Sequence, residues 1–395
     1  MMILISIFAT FFKLGCIAFG GPAAHIALFR KTFVDEKQWL TDNEFSQIMA
    51  VAQFMPGPAS SQIGISLGLH KAGQIGGFVA WLGFTLPTAI VLIAIAQGML
   101  LVDTNNIEPV INGLKLATAA IVLHAVSSMF KSFCRDTLTI AICLTTALLM
   151  VLLDSIWLQF ILLLVAAACA AIFRKSKQNT QAQQSVSLPI SRLAFRTSLL
   201  LFASLMIILP VASYYFSQPL LDLFARFFRV GATVFGGGHV VLPMLQQEMV
   251  TTGWVTENAF LAGYGITQAM PGPIFTFAAF LGAVNQLAIP SVIAAMIALI
   301  AIFSPSFLLI NICFFYWRKL SENAAIRASL IGINAAVVGL LLAAFYQPIF
   351  ISSVDSVLQL IAFILLTALV FWQKVPVWLI VILAGGCGYF WQFLQ

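Results

Sequence analysis

Apolar residues fall along this chain in runs of about twenty, separated by short polar clusters, without the strict alternation that marks a half-buried strand. At about 1.5 Å of rise per residue, such a run crosses about 30 Å of hydrocarbon as a helix. Continuous runs of this kind are read at residues 73–100, 108–130, 137–153, 156–173, 192–213, 289–316, 324–345, 352–372 and 375–393. Outer-membrane barrels carry weak ten-residue alternation instead, so the predicted fold class is an all-α polytopic membrane protein. One stretch, RKSKQNTQAQQSVSLPIS at 174–191, is polar and Gln/Ser-rich and reads as an extramembrane linker.

Composition agrees with the pattern and removes other classes. Of 395 residues, 61% are hydrophobic and 8% charged, against about 25% charged in ordinary soluble domains, so a water-soluble globule is excluded. The formal charge of +6 is scattered, and the six cysteines show no paired spacing. Neither a nucleic-acid partner nor a disulfide scaffold is expected. No Walker loop, GxGxxG or HExxH is present, so the reading includes no enzyme activity, cofactor or metal.

The two sides of the linker repeat each other. FATFFKLGCIAFGG from Phe8 aligns with FARFFRVGATVFGG from Phe224, WLTDNEF from Trp39 with WVTENAF from Trp254, and QFMPGP from Gln53 with QAMPGP from Gln268. Shared apolar bias would not keep every Gly and Pro of FGG and MPGP in register. The division is therefore a first repeat at 1–173, a cytoplasmic linker at 174–191, an extra connecting transmembrane helix at 192–213, and a second repeat at 214–395. Basic residues stay on the cytoplasmic side of short loops. With Arg174, Lys175, Lys177, Arg192 and Arg196 inside, both walks along the chain put Lys71, Lys131, Arg135, Lys319, Arg327 and Lys374 inside, and Asp103 and Glu108 outside. The repeats are then inverted in topology. If 1–70 and 219–288 each cross twice, there are about 13 membrane crossings, with the N-terminus cytoplasmic and the C-terminus extracytoplasmic. Inverted repeats with broken helices in matching places mark secondary transporters.

The breaks carry the candidate chemistry. Proline cannot continue a helix interior, and a break at membrane depth must face protein or water. Each MPGP, with Gly57–Pro58 and Gly272–Pro273, interrupts an apolar helix. The free N–H groups of the next turn, beside Ser60, Ser61 and Thr276, would present the positive end of a helix dipole to an anion. Gly20, Gly21, Gly236 and Gly237 form the second pair of breaks, where backbone can approach ligand or another helix. Lys13 and Arg229 align, each two residues before an aligned glycine, and cations this deep usually face a cavity or a partner. Together they could neutralise a dianion. Arg226 lies one turn after Asp222 and is expected to pair with it. Gln53 and Gln268 are amide ligand candidates, His25 and His239 are proton-coupling candidates, and Lys115 is expected to snorkel. Thr41 with Glu44 reads as a capping box; Thr256 repeats the cap without the acid.

With FGGPAAHIALF, QFMPGPASSQIGISLG and FTLP in the first half, and FFRVGATVFGGGHVVLPML and QAMPGPIFTFAAFLG in the second, the chain resembles the chromate ion transporter (CHR) family in its long two-domain form. That resemblance implies a secondary transporter in the bacterial plasma (inner) membrane that exports chromate, is related to sulfate carriers and is coupled to the proton gradient. The residues alone reach only a small oxyanion. A carrier of sulfate or another anion, or a passive anion channel, remains the alternative. Oligomeric state stays open, a homodimer being one option; the lipid bilayer is the other partner.

Overall fold

A computed structural model describes residues 1–101, 104–153, 156–173, 188, 190–216, 218–236, 238–287 and 289–391. Asp103, Gly237 and most of the expected linker at 174–191, including Arg174, Lys175 and Lys177, lie outside the described residues. Among the described residues there is no strand. The helices are α1 (Met2–Ile17), α2 (Gly21–Arg30), α3 (Asp42–Phe54), α4 (Ala59–Leu101), α5 (Thr104–Phe133), α6 (Thr137–Leu152), α7 (Ile156–Phe173), α8 (Arg192–Phe216) and α9 (Pro219–Thr233). They continue as α10 (Val241–Met249), α11 (Glu257–Ala269), α12 (Phe277–Ala283), α13 (Ser291–Glu322), α14 (Ala324–Ala344), the single turn α15 (Ile351–Ser353), α16 (Val357–Trp372) and α17 (Val377–Trp391).

Five stretches are long and apolar enough to cross a membrane: Ala59–Leu101, Ile107–Phe133, Arg192–Phe216, Ser291–Trp317 and Ala324–Ser353. With the shorter apolar helices, among them Thr137–Leu152, Leu158–Phe173, Val357–Trp372 and Val377–Phe390, they make this a multi-pass helical membrane protein. Each apolar run read from the sequence meets one helix. The run expected at 352–372 starts later, at Val357, because the chain after α14 kinks at Gln347 and residues up to Ser353 belong to the preceding turn α15. α4 leaves helical geometry at Ala72 and Gly73, the latter at φ 64°, and this is where the apolar run was read to begin.

The segment before that kink doubles back. Lys71 Nζ lies 5.4 Å from the ring centre of Trp39, so the start of α3 and the end of the first part of α4 come together. α3 has 13 residues, about 20 Å at the helical rise, and Ala59–Lys71 is of similar length. The MPGP break is thus the tip of a helical hairpin with both ends on one side. The capping box at its start forms as expected: Glu44 N–H donates to Thr41 Oγ1 and Thr41 N–H to Glu44 Oε2, at 3.3 and 2.7 Å. At α11, Ala259 N–H donates to Thr256 Oγ1 at 3.3 Å, the cap without the acid.

The chain packs as two compact units, and each draws on both sequence halves. The first comprises Met1–Gln97, Gln181–Gly238 and Met270–Leu320; the second comprises Gly98–Thr180, His239–Ala269 and Ser321–Gln395. In the first unit, glycines let helices touch backbone to backbone. A methyl on Gly15 would stand 2.6 Å from the Phe84 carbonyl oxygen, and one on Gly231 would collide with the Ile302 carbonyl. Lipid tails are as apolar as leucine, so close packing of this kind drives association between membrane helices. Phe11, Phe29, Phe33 and Phe84 fill the space beside the Gly15 crossing, with Phe11 stacked on Phe33 at 4.9 Å. In the second unit the same device seats α14 on α6 and α7 through Gly339 at Cys143 and Gly332 at Ala166, and α17 on α5 through Gly113 at Ala384.

Candidate functional site

A helix interrupted at membrane depth frees backbone groups that lipid cannot satisfy. In the first unit they are satisfied reciprocally. The Gly57 N–H of the first MPGP donates to the Val234 carbonyl at 2.6 Å, and the Gly272 N–H of the second donates to the Ala18 carbonyl at 2.9 Å. Ala18 and Val234 each directly precede the Phe-Gly-Gly of their own half. The freed proline carbonyls are held as well: Gln62 Nε2 donates to the Pro56 carbonyl at 2.6 Å, and Thr88 Oγ1 donates to that of Pro271. Gln62 Nε2 also reaches Ser306 Oγ at 3.4 Å. Gly20, Gly21, Gly57, Gly236 and Gly272 all adopt positive φ, between 74° and 115°, so these breaks need glycine.

The two MPGP breaks differ in what they leave open. After the first, the opening intrahelical bond runs from Gln62 N–H to the Pro58 carbonyl at 2.9 Å. The amides of Ala59, Ser60 and Ser61 form the positive end of the helical segment that runs to the kink at Ala72 and Gly73. Ser60, Ser61 and Gln62 are 4%, 2% and 0% exposed, and Ser61 Oγ and Gln62 Oε1 have no partner. Pro58 sits one residue before α4. After the second break, Ile274–Thr276 is a 3-10 turn, followed by only seven residues of α-helix. Thr276 turns both its N–H and its hydroxyl onto the Pro273 carbonyl, at 3.0 and 2.6 Å. Where the first half has Ser60 and Gln62, the second has Phe275 and Phe277.

Other buried polar atoms of the first unit also lack partners: His25 Nδ1, Trp81 Nε1 and Thr85 Oγ1. His25 Nε2 lies 2.9 Å from the Ala18 carbonyl, the acceptor that also takes the Gly272 N–H. With Nε2 donating, Nδ1 is a bare lone pair. Orphaned buried polar atoms are scarce in folded proteins and call for water or a ligand.

The remaining sequence candidates are dispersed. Lys13 is exposed on α1, and among the described residues it makes no ion pair, whereas Arg229 is half-buried on α9. Arg226 Nε meets Asp222 Oδ1 at 3.2 Å, the pairing expected of it. Gln53 is exposed; Gln268 is half-buried one turn beyond Tyr264, with its Nε2 unpartnered. In the second unit His239 Nδ1 lies 2.9 Å from Tyr264 Oη. Lys115 does not snorkel: it is 7% exposed and donates to Asn258 Oδ1 at 3.1 Å, because α11 supplies an amide beside it. Gln62, Thr88 and Ser306 were not singled out from the sequence. The signal was there for two of them, since Pro87–Thr88 and Pro305–Ser306 repeat a proline-hydroxyl pair inside matching apolar runs.

The sequence profile of the chromate transporter family matches residues 5–172 and, a second time, 221–389. The chain belongs to the chromate transporter family. Among its relatives, the chromate transport protein of Pseudomonas aeruginosa is 27% identical over 337 residues, 85% of this chain and 78% of the relative. The chromate transport protein of Cupriavidus metallidurans is 27% identical over 371 residues, covering 92% and 87%. An uncharacterized transporter of Methanocaldococcus jannaschii is 26% identical over 389 residues, covering 98% and 94%. No solved structure matches significantly. The amides of Ala59, Ser60 and Ser61 at the first MPGP break and the orphaned Ser61 hydroxyl are hydrogen-bond donors without a partner.

Proposed function

We propose that this chain is a secondary transporter that exports chromate, or a sulfate-like tetrahedral oxyanion, across the bacterial plasma membrane by alternating access coupled to the proton gradient. Family membership supports the chromate role. The observation that carries the site is the first MPGP break, where the helical segment Ala59–Lys71 starts with free amides beside a buried, unpartnered Ser61 hydroxyl. Ser60, Ser61, Gly57 and Pro58 form the main anion cradle, with Gln62 as its support. Gly272, Pro273, Thr276 and the Phe-Gly-Gly segments (Gly20, Gly21, Gly236, Gly237) frame it. Lys13, Arg229 and Gln53 act on the path to it, Gln268 is a further amide ligand candidate, and His25 and His239 carry protons. Chromate and sulfate share shape and charge, so such a cradle would separate them weakly.

Two inverted repeats, each contributing to both compact units, supply the symmetry that alternating access uses. The reciprocal Gly57–Val234 and Gly272–Ala18 bonds and the two profile matches support that symmetry. The hairpin closed by Trp39 and Lys71 supports a re-entrant reading of the MPGP region. If all the broken regions are re-entrant, the nine continuous spans do the crossing. The parity is unchanged, and with it the cytoplasmic N-terminus and the extracytoplasmic C-terminus.

The deciding experiment is uptake of labelled chromate and sulfate into proteoliposomes under imposed pH gradients. Gradient-dependent uptake with counterflow supports the carrier. Flux that ignores the gradient and shows no counterflow makes the protein a channel, and absence of anion flux overturns the proposal.

A further inference from the structure

Away from the helix breaks, the first turns of α8 and the last turns of α13 enclose a pocket of about 470 Å³ lined by Arg192, Phe195, Arg196, Phe315, Tyr316 and Lys319. Arg192 and Arg196 are one turn apart and therefore share a face of α8. Lys319 lies over the Tyr316 ring, 5.5 Å from its centre. Phe195 stacks on Phe315 at 4.5 Å and meets Tyr316 edge-on at 5.0 Å, which gives the pocket an aromatic floor. Just below, Asn311 Nδ2 donates to Ser198 Oγ at 3.0 Å and fixes α8 against α13. Among the described residues, no acid lines the pocket and none of its three cations has an ion pair.

Three cations gathered without a carboxylate repel one another unless an anion joins them. The surroundings say which kind. Only 6% of the apolar window of α8 is buried, and Leu193 and Leu200 are 72% and 70% exposed. A basic cluster at the end of an apolar, lipid-facing helix matches a headgroup phosphate together with its acyl chain. A free oxyanion would use the cations but gain nothing from the aromatic floor or the apolar helix face.

We propose that this pocket binds the phosphate headgroup of an anionic phospholipid, with an acyl chain lying along α8. Arg192 and Arg196 grip the phosphate as forked donors, Lys319 adds a point charge, and the aromatic floor supports the glycerol backbone. The lipid would tie α8 to α13 at the membrane surface.

The test is thermal melting of the purified full-length chain in detergent, titrated with phosphatidylglycerol, phosphatidylcholine, glycerol phosphate or chromate. Phosphatidylglycerol should raise the melting temperature, phosphatidylcholine and glycerol phosphate should not reproduce that shift, and any shift from chromate, which binds at the helix break, should survive in the triple variant Arg192→Gln/Arg196→Gln/Lys319→Gln. That variant should lose most of the phosphatidylglycerol shift. An equal shift with phosphatidylcholine or with glycerol phosphate, or an undiminished phosphatidylglycerol shift in the triple variant, overturns the proposal. Should the triple variant fail to fold, native mass spectrometry of the wild-type chain in mixed micelles decides. Retention of phosphatidylglycerol over phosphatidylcholine supports the site, and equal retention overturns it.

Discussion

The amide of Gly57 donates to the carbonyl of Val234 at 2.6 Å, and its aligned partner Gly272 donates to the carbonyl of Ala18 at 2.9 Å. Each MPGP break is thus closed by the backbone of the other sequence half. A break satisfied within its own half would be a local kink. Breaks satisfied across halves hold residue 57 against 234 and residue 272 against 18, so each break depends on backbone that the other half supplies.

Alanine at Gly57 or Gly272 should destabilise the protein. Both residues have positive φ, at 115° and 91°, and a methyl would stand 2.6 Å from Gln62 Nε2 in one case and 2.5 Å from Thr88 Oγ1 in the other. Left-handed backbone costs an L-residue about 1–2 kcal/mol, and losing the polar clamp on a freed carbonyl adds about as much again. Gly98→Ala is the control, since that glycine has open space around it and no positive φ. Melting in detergent should order the variants Gly57 and Gly272 well below wild type, with Gly98 unchanged.

Ser61→Ala and Thr276→Ala should part company although the two positions align. Ser61 Oγ is unpartnered, whereas Thr276 Oγ1 is committed to the Pro273 carbonyl. A hydrogen bond to a charged group contributes about 1.5–3 kcal/mol, so Ser61→Ala should weaken chromate binding about ten- to a hundredfold at unchanged melting temperature. Thr276→Ala should lower stability more than affinity. Equal losses of affinity from both would refute a site centred on the first break.

Much of this was legible in advance, for physical reasons. Twenty-residue apolar runs are dictated by bilayer thickness, so the helices from α5 to α8 fell where the pattern put them, and the second part of α4 starts where the apolar run at 73–100 begins. Gly57 and Gly272 were legible because proline and glycine together leave a helix few options. What could not be read was the difference between aligned positions. Gln53 and Gln268 carry the same side chain, yet one is exposed and the other half-buried. Lys13 and Arg229 also part, because tertiary packing, which sequence alignment does not contain, decides what surrounds each. Lys115 was misread for the same reason: its partner Asn258 is distant in sequence.

Asp222 and Arg226 should show measurable coupling. Their side chains are 27% and 17% exposed, and Ser213 Oγ donates to the same Asp222 Oδ1 at 2.7 Å. Exposed pairs contribute about 0–1 kcal/mol and fully buried ones lose about 3–5 when broken, so an intermediate loss of about 1–3 is expected for Asp222→Asn. A double-mutant cycle with Arg226→Gln, read by melting, checks it. Strictly additive losses would mean that the ion pair contributes nothing.

The start of α3 should make stability depend on pH in acid. The Glu44 carboxylate accepts from Thr41 N–H at 2.7 Å and from Thr41 Oγ1 at 2.9 Å. The backbone bond first and the hydroxyl second hold its pKa below the ordinary 4.5, assisted by the nearby His70 and opposed by slight burial. A depressed carboxylate pKa means that the folded state takes up its proton later than the unfolded state. The contribution is therefore fully present above about pH 4.5 and is lost as pH falls through the lowered folded value. Glu44→Gln keeps an acceptor but cannot titrate, so its melting temperature should fall less than that of wild type between about pH 5 and pH 3. Thr41→Ala removes the other half of the box and should cost about 1 kcal/mol at neutral pH. If wild type and Glu44→Gln follow the same acid slope, the capping box is not what titrates.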